Sequence, residues 1–590
     1  MKKKVIALLL TACMLGSLTA CGGAADSQSG QDQSASKQEG SQNQESQDND
    51  SQKDDAAAKD DQELMTVHLL AKKDVDYAAG LKGDISKIEE EPKFQYVQER
   101  LAEYGVKLEV EAVANEQFET VTTTRLASGN DLMDFFNAVG LGSADLVSYG
   151  ESSVIADINE ALAQYDEDGS VKAAWTKYFP DFEGKYTTED GKLYWLPYMV
   201  RKVLTGTEME NLGSPRSLSI RKDWLDKIGV DYKIEWTPEE LKEVLVRFRE
   251  EDANGNGVAD EVVALDISQW CSGIAQGFGI GYTFESQFVS YNTTTGEILN
   301  PWDSKEELAA YVTFMRELGD AGLLDSSMIG DSNYGEASLK LLAENRAALI
   351  SEYSGEEWLE PQIPVENAEF APIMVKTAYA PLQTLEGMNT AYGMKFVINA
   401  KGNVEAVVRM LDCIYSDDMI HFLSYGFCED YGTATKDHVH NEDGTIANIT
   451  RTDEEIQSGT SGWSAPMEQM LWDTLPRVAY VTMSYEDKLK ERSHEAKNEF
   501  MKFLYENPDA YEINECDYGT AMSTSEELSV AEELETTLQT YSSEAITNLI
   551  LGDYSLDDLD KYIDEMKNLG MDDYVNVFKA KRERYDALVK

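Results

Sequence analysis

Between residues 64 and 136 the apolar positions change period repeatedly. Met65-Thr66-Val67-His68-Leu69-Leu70-Ala71 reads as a strand, and Lys107-Leu108-Glu109-Val110-Glu111-Ala112-Val113 alternates as a second one. Between them Phe94, Val97, Leu101 and Tyr104 recur at three- and four-residue spacing, which predicts one face of a helix. Gln117 to Leu126 predicts another helix, and Leu132-Met133-Asp134-Phe135-Phe136 a third strand. Strands that alternate with helices imply a parallel sheet flanked by helices on both faces. In such sheets ligands sit beyond the carboxyl ends of the strands, here the loop Asn137-Ala138-Val139-Gly140.

The same grammar continues. Asp190-Gly191-Lys192 is a turn, followed by an aromatic strand through Trp195 to Tyr198. Ser217 to Leu225 runs from strand into helix. Thr237-Pro238-Glu239-Glu240 is a helix start, with a threonine N-cap, proline in the first helical position and a glutamate three residues after the cap. Leu241, Val244, Leu245 and Phe248 line one face of that helix. Further strands are expected at Val262–Leu265 and Ala347–Ile350.

The amino end has a different character. Lys2, Lys3 and Lys4 precede an apolar run from Val5 to Ala20, too short to span a bilayer and followed by a polar tract, which reads as an export signal over residues 1–20. Leu18-Thr19-Ala20-Cys21 resembles a bacterial lipobox, in which Cys21 is lipidated after cleavage. A second copy ending at Cys13 would leave a very short apolar region. The alternative is an ordinary cleaved signal and a freely secreted protein. Residues 21–63 are mostly Ser, Gln, Asp, Ala, Gly and Lys, a composition expected to act as a disordered tether. The expected location is the extracellular face of the cell membrane.

Residues 64–590 exceed one core, so two or more lobes are expected. Asp and Glu number 109 against 51 Lys and Arg, a net charge of -58, which makes nucleic acid a poor partner and disfavours anionic ligands unless a basic pocket overrides the mean. Cys271, Cys413, Cys428 and Cys516 show no CxxC spacing, and the five histidines form no HExxH. Cys413 and Cys428 either pair or serve as small apolar residues.

Asp252-Ala253-Asn254-Gly255-Asn256-Gly257-Val258-Ala259-Asp260-Glu261 places oxygen-bearing side chains first, third, fifth and ninth and a glycine sixth. That is the EF-hand pattern, with the carbonyl of Val258 available at the seventh position. Its twelfth position is Val263, which offers no carboxylate. Glu261 is the natural substitute. Hard oxygen ligands suit Ca²⁺ over Zn²⁺. The alternative is a metal-free Asn-Gly turn. No nucleophile or base lies nearby, so a metal here reads as structural.

The order of these signals resembles the bacterial extracellular solute-binding proteins, family 1, the lipoproteins that feed carbohydrate importers. The resemblance rests on Gly191–Tyr198, Ile220–Gly229, Thr237–Leu241 and Asp252–Glu261, in that order. Tyr415-Ser416-Asp417-Asp418, Tyr425-Gly426-Phe427 and the carboxyl-terminal segment Ser555–Tyr562 add to it. Phe427-Cys428-Glu429-Asp430 departs from the family's form. The resemblance implies a two-lobe periplasmic-binding-protein-like α/β fold (type II). Each lobe would hold a mainly parallel sheet, with strands crossing between lobes and ligand in the cleft. It places one lobe at 64–198 plus 386–455 and the other at 199–385 plus 456–590. It also implies calcium on Asp252, Asn254, Asn256, Val258, Asp260 and Glu261, a monomer, and permease subunits as partners.

Sugars require aromatic platforms and planar polar groups. With 9 Trp and 30 Tyr, position must choose among them. Asn137 follows the third strand, Trp270 follows the strand after the glycine-rich loop, and Tyr353 and Trp358 follow Ala347–Ile350. Trp463 lies in a turn-rich stretch. For each, the competing role is core or interlobe packing. Trp195 and Trp224 are less favoured as ligand contacts. A secreted glycosidase is the competing activity, but 109 acidic residues make a carboxylate pair uninformative, and GxSxG, HExxH and Cys–His signatures are absent. A peptide receptor of the same fold is the other alternative.

Overall fold

The computed structural model describes residues 63–77, 81–180, 182–205, 216–268, 270, 272–280, 289–292, 297–331, 335–353, 359–380, 383–386, 392–427, 438–440, 446–448, 475–476, 478–489, 494–514 and 521–588. The expectations for the export signal, Cys21, the tether, Trp358 and Trp463 lie outside them.

The framing strands are β1 (Met65–Lys72), β2 (Val106–Val113), β3 (Phe135–Asn137), β4 (Leu196–Thr205), β5 (Arg216–Arg221), β6 (Glu235–Trp236) and β7 (Val262–Val263). They continue with β8 (Ala347–Tyr353), β9 (Phe370–Val375), β10 (Gln383–Glu386), β11 (Tyr392–Ile398), β12 (Val478–Ser484) and β13 (Tyr511–Asn514). The helices used below are α1 (Pro92–Glu103), α2 (Asn115–Ser128), α3 (Ser143–Glu151), α4 (Lys222–Ile228), α5 (Pro238–Glu250), α6 (Ser272–Gly277) and α7 (Lys305–Asp320). Later in the chain come α8 (Val404–Ile414), α9 (Glu495–Glu506), α10 (Ser525–Leu551), α11 (Leu559–Asn568) and α12 (Met571–Leu588).

The first sheet has the order β12-β4-β11-β3-β1-β2. β1 runs parallel to β2 and β3, β4 parallel to β12, and only β11 runs against its neighbours β3 and β4. Val67, Leu69 and Ala71 enter one apolar cluster and Leu70 the opposite one, so β1 is buried on both faces. α1 covers the sheet with Phe94, Val97 and Leu101, all buried. The second sheet has the order β13-β10-β5-β8-β7, with β9 joining β5 to β6. It is mixed: β5 runs against β8, β9 and β10, while β7, β6 and β13 lie parallel to β8, β9 and β10. α5 supplies Leu241, Val244, Leu245 and Phe248 to the second core, and α10, α11 and α12 close over the same core with Leu538, Ile546, Leu549, Ile563 and Tyr574.

Two expected strands are shorter than alternation predicts. The aromatic strand begins at Leu196, because Leu193 N bonds Asp157 Oδ1 (3.1 Å) and Leu193 O accepts from Ile158 N (2.7 Å), tying it to a helix start. β7 stops at Val263, although Ala264 N still donates to Leu349 O of β8 (2.9 Å).

Three connections join the sheets: β4 to β5, β10 to β11, and β12 through α9 to β13. The first sheet holds β4 as far as Thr205 and all of β12, paired from Met199–Val478 to Thr205–Ser484. Residues 199–205 and 478–484, placed in the second lobe by the boundaries at 198 and 455, are therefore strands of the first sheet. Register fixes where the crossings occur. Tyr353 and Glu386 both pair with Arg216, so the ends of β8 and β10 share an edge with the start of β5. In the first sheet Asn137 pairs with Phe396, and the start of β11 extends beyond it toward Tyr392. From β4 to β5 and from β10 to β11 the chain thus passes from one carboxyl edge to the other, whereas β12 leaves the first sheet at its carboxyl edge and β13, parallel to β10, is entered at its amino end after α9.

Candidate functional site

Because two of the three crossings join carboxyl edge to carboxyl edge and the third leaves the first sheet there, the loops that follow β1, β3 and β8 are the ones set where the two sheets meet. Open α/β sheets hold ligands at that edge. Asn137 closes β3 and is buried at 2% exposure. Its Oδ1 accepts Lys395 N (3.3 Å), and Ala138 N donates to Lys395 O (2.8 Å). Its side chain therefore braces β11 against β3. Trp270 is 3% exposed, with ring centroids 6.0 Å from both Trp302 and Tyr311. That burial among aromatic neighbours is the packing role weighed against ligand contact. Tyr353 ends β8 at the crossing edge, opposite Arg216.

A cavity of about 440 Å³ lies between the lobes on the α3 side. Trp195, Tyr186 and Lys395 line it from the first lobe, and Glu535, Tyr574 and Phe578 from α10 and α12. Trp195 faces it although only 3% exposed, a placement the alternating pattern gave no sign of. Burial holds the Lys395 ammonium below the ordinary lysine value, against the opposing pull of Asp145, and Nζ donates to Leu141 O (2.8 Å). On the other wall burial raises the Glu535 carboxyl, and the charge of Glu532 adds to it. The cavity therefore carries Lys185 and Lys395 on one wall and, on the other, the carboxylates Glu532 and Glu535 together with Lys581.

The glycine-rich loop joins α5 to β7. Thr237 and Glu240 form the expected capping box that starts α5 (Glu240 N to Thr237 Oγ1, 3.2 Å; Thr237 N to Glu240 Oε2, 2.9 Å). Past the end of α5 the loop coils on its own side chains. Gly257 N donates to both carboxylate oxygens of Asp252 (3.0 and 3.1 Å), Asn256 N to Asn254 Oδ1 (3.0 Å), and Val258 N to Asn256 Oδ1 (2.7 Å). Gly257 has φ +80°, which a side chain would strain. Lys227 Nζ clamps the carbonyls of Asp252 (2.9 Å) and Ala253 (2.8 Å).

Glu261 has no solvent exposure. Its two oxygens accept only backbone donors, Asn254 N and Asp260 N, each at 3.1 Å, and no lysine or arginine among the described residues pairs with it. A buried carboxylate without a counter-charge fits a cation. The available set of three carboxylates, two amide side chains and the Val258 carbonyl is all hard oxygen, the donor class of calcium. Two features compete with an ion. Asp260 Oδ1 receives the side-chain amides of Asn254 (2.9 Å) and Asn256 (3.1 Å), and Arg346 pairs with Asp260 at 3.3 Å. Among the described residues the acidic oxygens that converge within 4.8 Å belong instead to Asp166, Asp168 and Asp412. There Ser170 explains the gathering: its backbone N donates to Asp166 (3.1 Å) and Asp168 (3.2 Å), and its hydroxyl contacts Asp412.

Cys413 is a free, buried thiol, its pKa pushed up to about 12 chiefly by burial.

The sequence profile of the bacterial extracellular solute-binding proteins matches residues 86–419, more than half of the 590-residue chain. A fructooligosaccharide ABC transporter substrate-binding protein, FusA of Streptococcus pneumoniae serotype 4, is 22% identical over 469 residues, 78% of this chain and 81% of that protein. The solved structure of its EF-hand mutant in complex with fructo-nystose superimposes with a TM-score of 0.60 at 18% identity, covering 88% of this chain and 99% of that one. The alginate-binding protein AlgQ2, solved without calcium ion, gives a TM-score of 0.57 at 17% identity over 89% and 99% of the two chains. These similarities show a two-lobe binding-protein fold.

Proposed function

Since this chain belongs to the bacterial extracellular solute-binding proteins, we propose that it is the substrate-binding component of an ABC importer, capturing an oligosaccharide between its lobes and presenting it to the permease. The observation that carries this reading is the topology. Two α/β lobes are joined by three connections, two of them from carboxyl edge to carboxyl edge, so ligand contacts on both edges favour a closed arrangement over an open one. The ligand class is taken from the fructooligosaccharide and alginate receptors it resembles.

In this reading the ligand sits beyond β1, β3 and β8, with contacts from Asn137, Tyr353, Trp358 and Trp463, while Trp270 backs the second lobe from the core. The lobes are 64–205, 387–455 and 478–484 on one side, and 216–386 with 495–588 on the other. The lipobox-like Leu18–Cys21 and the polar tether hold the protein as a monomer at the outer face of the membrane. Calcium occupies Asp252, Asn254, Asn256, Val258, Asp260 and Glu261 and serves only to fix the loop, since no reacting group adjoins it.

The test is a thermal-shift screen of the purified protein against oligosaccharide and peptide panels. A ligand that binds only the folded state raises the melting temperature by mass action. A rise with one glycan series supports the receptor. A rise with peptides alone would replace the ligand class, and release of free sugar from a glycan would replace binding with hydrolysis.

A further inference from the structure

A second concave surface lies on the second lobe, about 650 Å³ in volume, within the range of small-molecule sites. It follows the carboxyl ends of β6 and β9. Trp236 pairs with Val375, and Lys376 N donates to Trp236 O (2.8 Å), so Thr237 and Lys376 leave the sheet together. β9 runs against β5 with Ile373 opposite Leu218, so this exit lies at the end where β5 begins at Arg216, the crossing edge. Neighbouring strands are about 5 Å apart, which puts this groove next to the proposed cleft rather than on a separate face.

Its floor is apolar: Phe278, after α6, and Phe314, on α7, lie with ring centroids 5.7 Å apart. Its rim carries Tyr379, 43% exposed and the only aromatic among the exposed large hydrophobic residues described. The ring is displayed by a braced turn, because Thr377 Oγ1 donates to Gly277 O (2.6 Å) and accepts Tyr379 N (3.1 Å). Two rim charges are neutralised, Lys376 by Glu235 and Glu317 by Lys242. Glu239 and Glu306, in the first turns of α5 and α7, form no ion pair among the described residues. A fixed aromatic face beside carboxylates that can accept hydroxyl donors is the chemistry of sugar recognition.

We propose that this groove is an extended subsite that takes the far units of a long oligosaccharide whose near units lie in the cleft, with Tyr379 as stacking platform and Glu239 and Glu306 as hydroxyl acceptors. It rests on the oligosaccharide reading above and adds length selection to it.

The experiment is calorimetric titration of the full chain with two chain-length ladders, fructo-oligosaccharides and malto-oligosaccharides, each from the trisaccharide upward. Wild-type affinity is expected to rise with length in the ladder that binds. Tyr379→Ala and the double variant Glu239→Gln/Glu306→Gln are expected to lose roughly ten-fold at the long end, the value of one aromatic contact. Both should leave the trisaccharide affinity and the melting temperature unchanged, and Tyr379→Phe is expected to keep the length gain. Identical length dependence in wild type and Tyr379→Ala overturns the proposal and leaves the groove for protein docking. A loss of equal size at every length, with melting unchanged, overturns it too, by making the groove part of the primary site. Binding of neither these nor any other glycan by the wild type would overturn the oligosaccharide reading itself, and this one with it.

Discussion

Glu261→Gln separates the two things the buried carboxylate does. The substitution keeps the side chain's shape, removes its charge and replaces one acceptor oxygen with an NH₂ group. In the structure both oxygens are engaged, one by Asn254 N and one by Asp260 N, each at 3.1 Å, with no exposure to water. Hydrogen bonds to a charged group contribute about 1.5–3 kcal/mol each against about 1 kcal/mol for neutral ones, so the metal-free protein should lose about 1–3 kcal/mol. Calcium at a hundred times its dissociation constant adds about 2.7 kcal/mol to the folded state, all of it lost if the substituted loop no longer binds the ion. The expected cost is therefore about 4–6 kcal/mol in calcium and about 1–3 kcal/mol in chelator. At about 2–4 °C per kcal/mol for a lobe-sized unit, the second-lobe melting temperature should fall by roughly 10–20 °C in calcium and by a few degrees in chelator. Calorimetric melts of wild type and variant in both conditions give the four values. An equal drop with and without calcium, together with no response of the wild type to chelator, would refute the metal. No drop in chelator would refute the claim that the carboxylate holds the loop through Asn254 and Asp260.

Three further outcomes are expected. Glu369 is half-buried, and burial raises its carboxyl above the ordinary value, with His494 and Lys222 opposing and Asp226 and Asp223 adding. A raised folded-state value means the group favours folding below its unfolded value and loses that contribution as pH rises through the folded one. The urea midpoint of Glu369→Gln should therefore match wild type near about pH 4 and exceed it near about pH 7; a gap that is constant with pH sinks this. The buried, high-pKa thiol of Cys413 should remain unmodified by iodoacetamide in the native protein and alkylate after unfolding, as read by mass spectrometry of its peptide, and a disulfide-linked Cys413 peptide would contradict the free thiol. α6 presses on β9 at Gly277, where a Cβ would stand 2.5 Å from Val375 O and 2.7 Å from Val375 Cβ. Gly277→Ala should therefore cost about 1–3 kcal/mol in denaturant unfolding, and an unchanged midpoint would show that the helix shifts freely.

The elements nearest the amino end of the folded chain were legible because local period and tertiary burial agree there. Met65–Ala71 becomes β1 with one added residue, and the face Leu241, Val244, Leu245 and Phe248 is buried as its spacing predicts. Alternation failed at Leu193-Tyr194-Trp195, where Asp157, thirty-six residues earlier, takes the backbone N–H that a strand would need. The lobe boundaries failed for a related reason. Whether residues 199–205 belong to the first or the second sheet depends on their partner Val478–Ser484, nearly three hundred residues away, and nothing local to β4 records that pairing. The mixed second sheet has the same origin, since β5 is reached by a crossing from the first sheet and so enters from the edge where β8 ends.

The candidate site was legible where chemistry is written into spacing and illegible where it depends on which side of a tryptophan is covered. Asp252 to Glu261 form a compact loop coiled on its own side chains, with side-chain oxygens capping the loop's own N–H groups and Glu261 turned inward. Trp270 shows the opposite case. It follows a strand end, the expected place for a ligand contact, yet Trp302 and Tyr311, thirty-two and forty-one residues later, enclose it. Position after a strand places a side chain at the edge of a sheet, but its exposure is decided by what later packs there. Tyr379 marks the feature that distinguishes the two. It too follows a strand, in Lys376-Thr377-Ala378-Tyr379, but no apolar residue stands within that stretch at a spacing that would let the ring join a helix face or strand pattern. The turn is braced by Thr377 instead, and the ring remains 43% exposed. An aromatic residue in a short polar turn after a strand is therefore a better indicator of a displayed platform than one in an apolar run, and by the same reasoning Trp463, flanked by Gly462 and Ser464, ranks above Trp270 as a ligand contact.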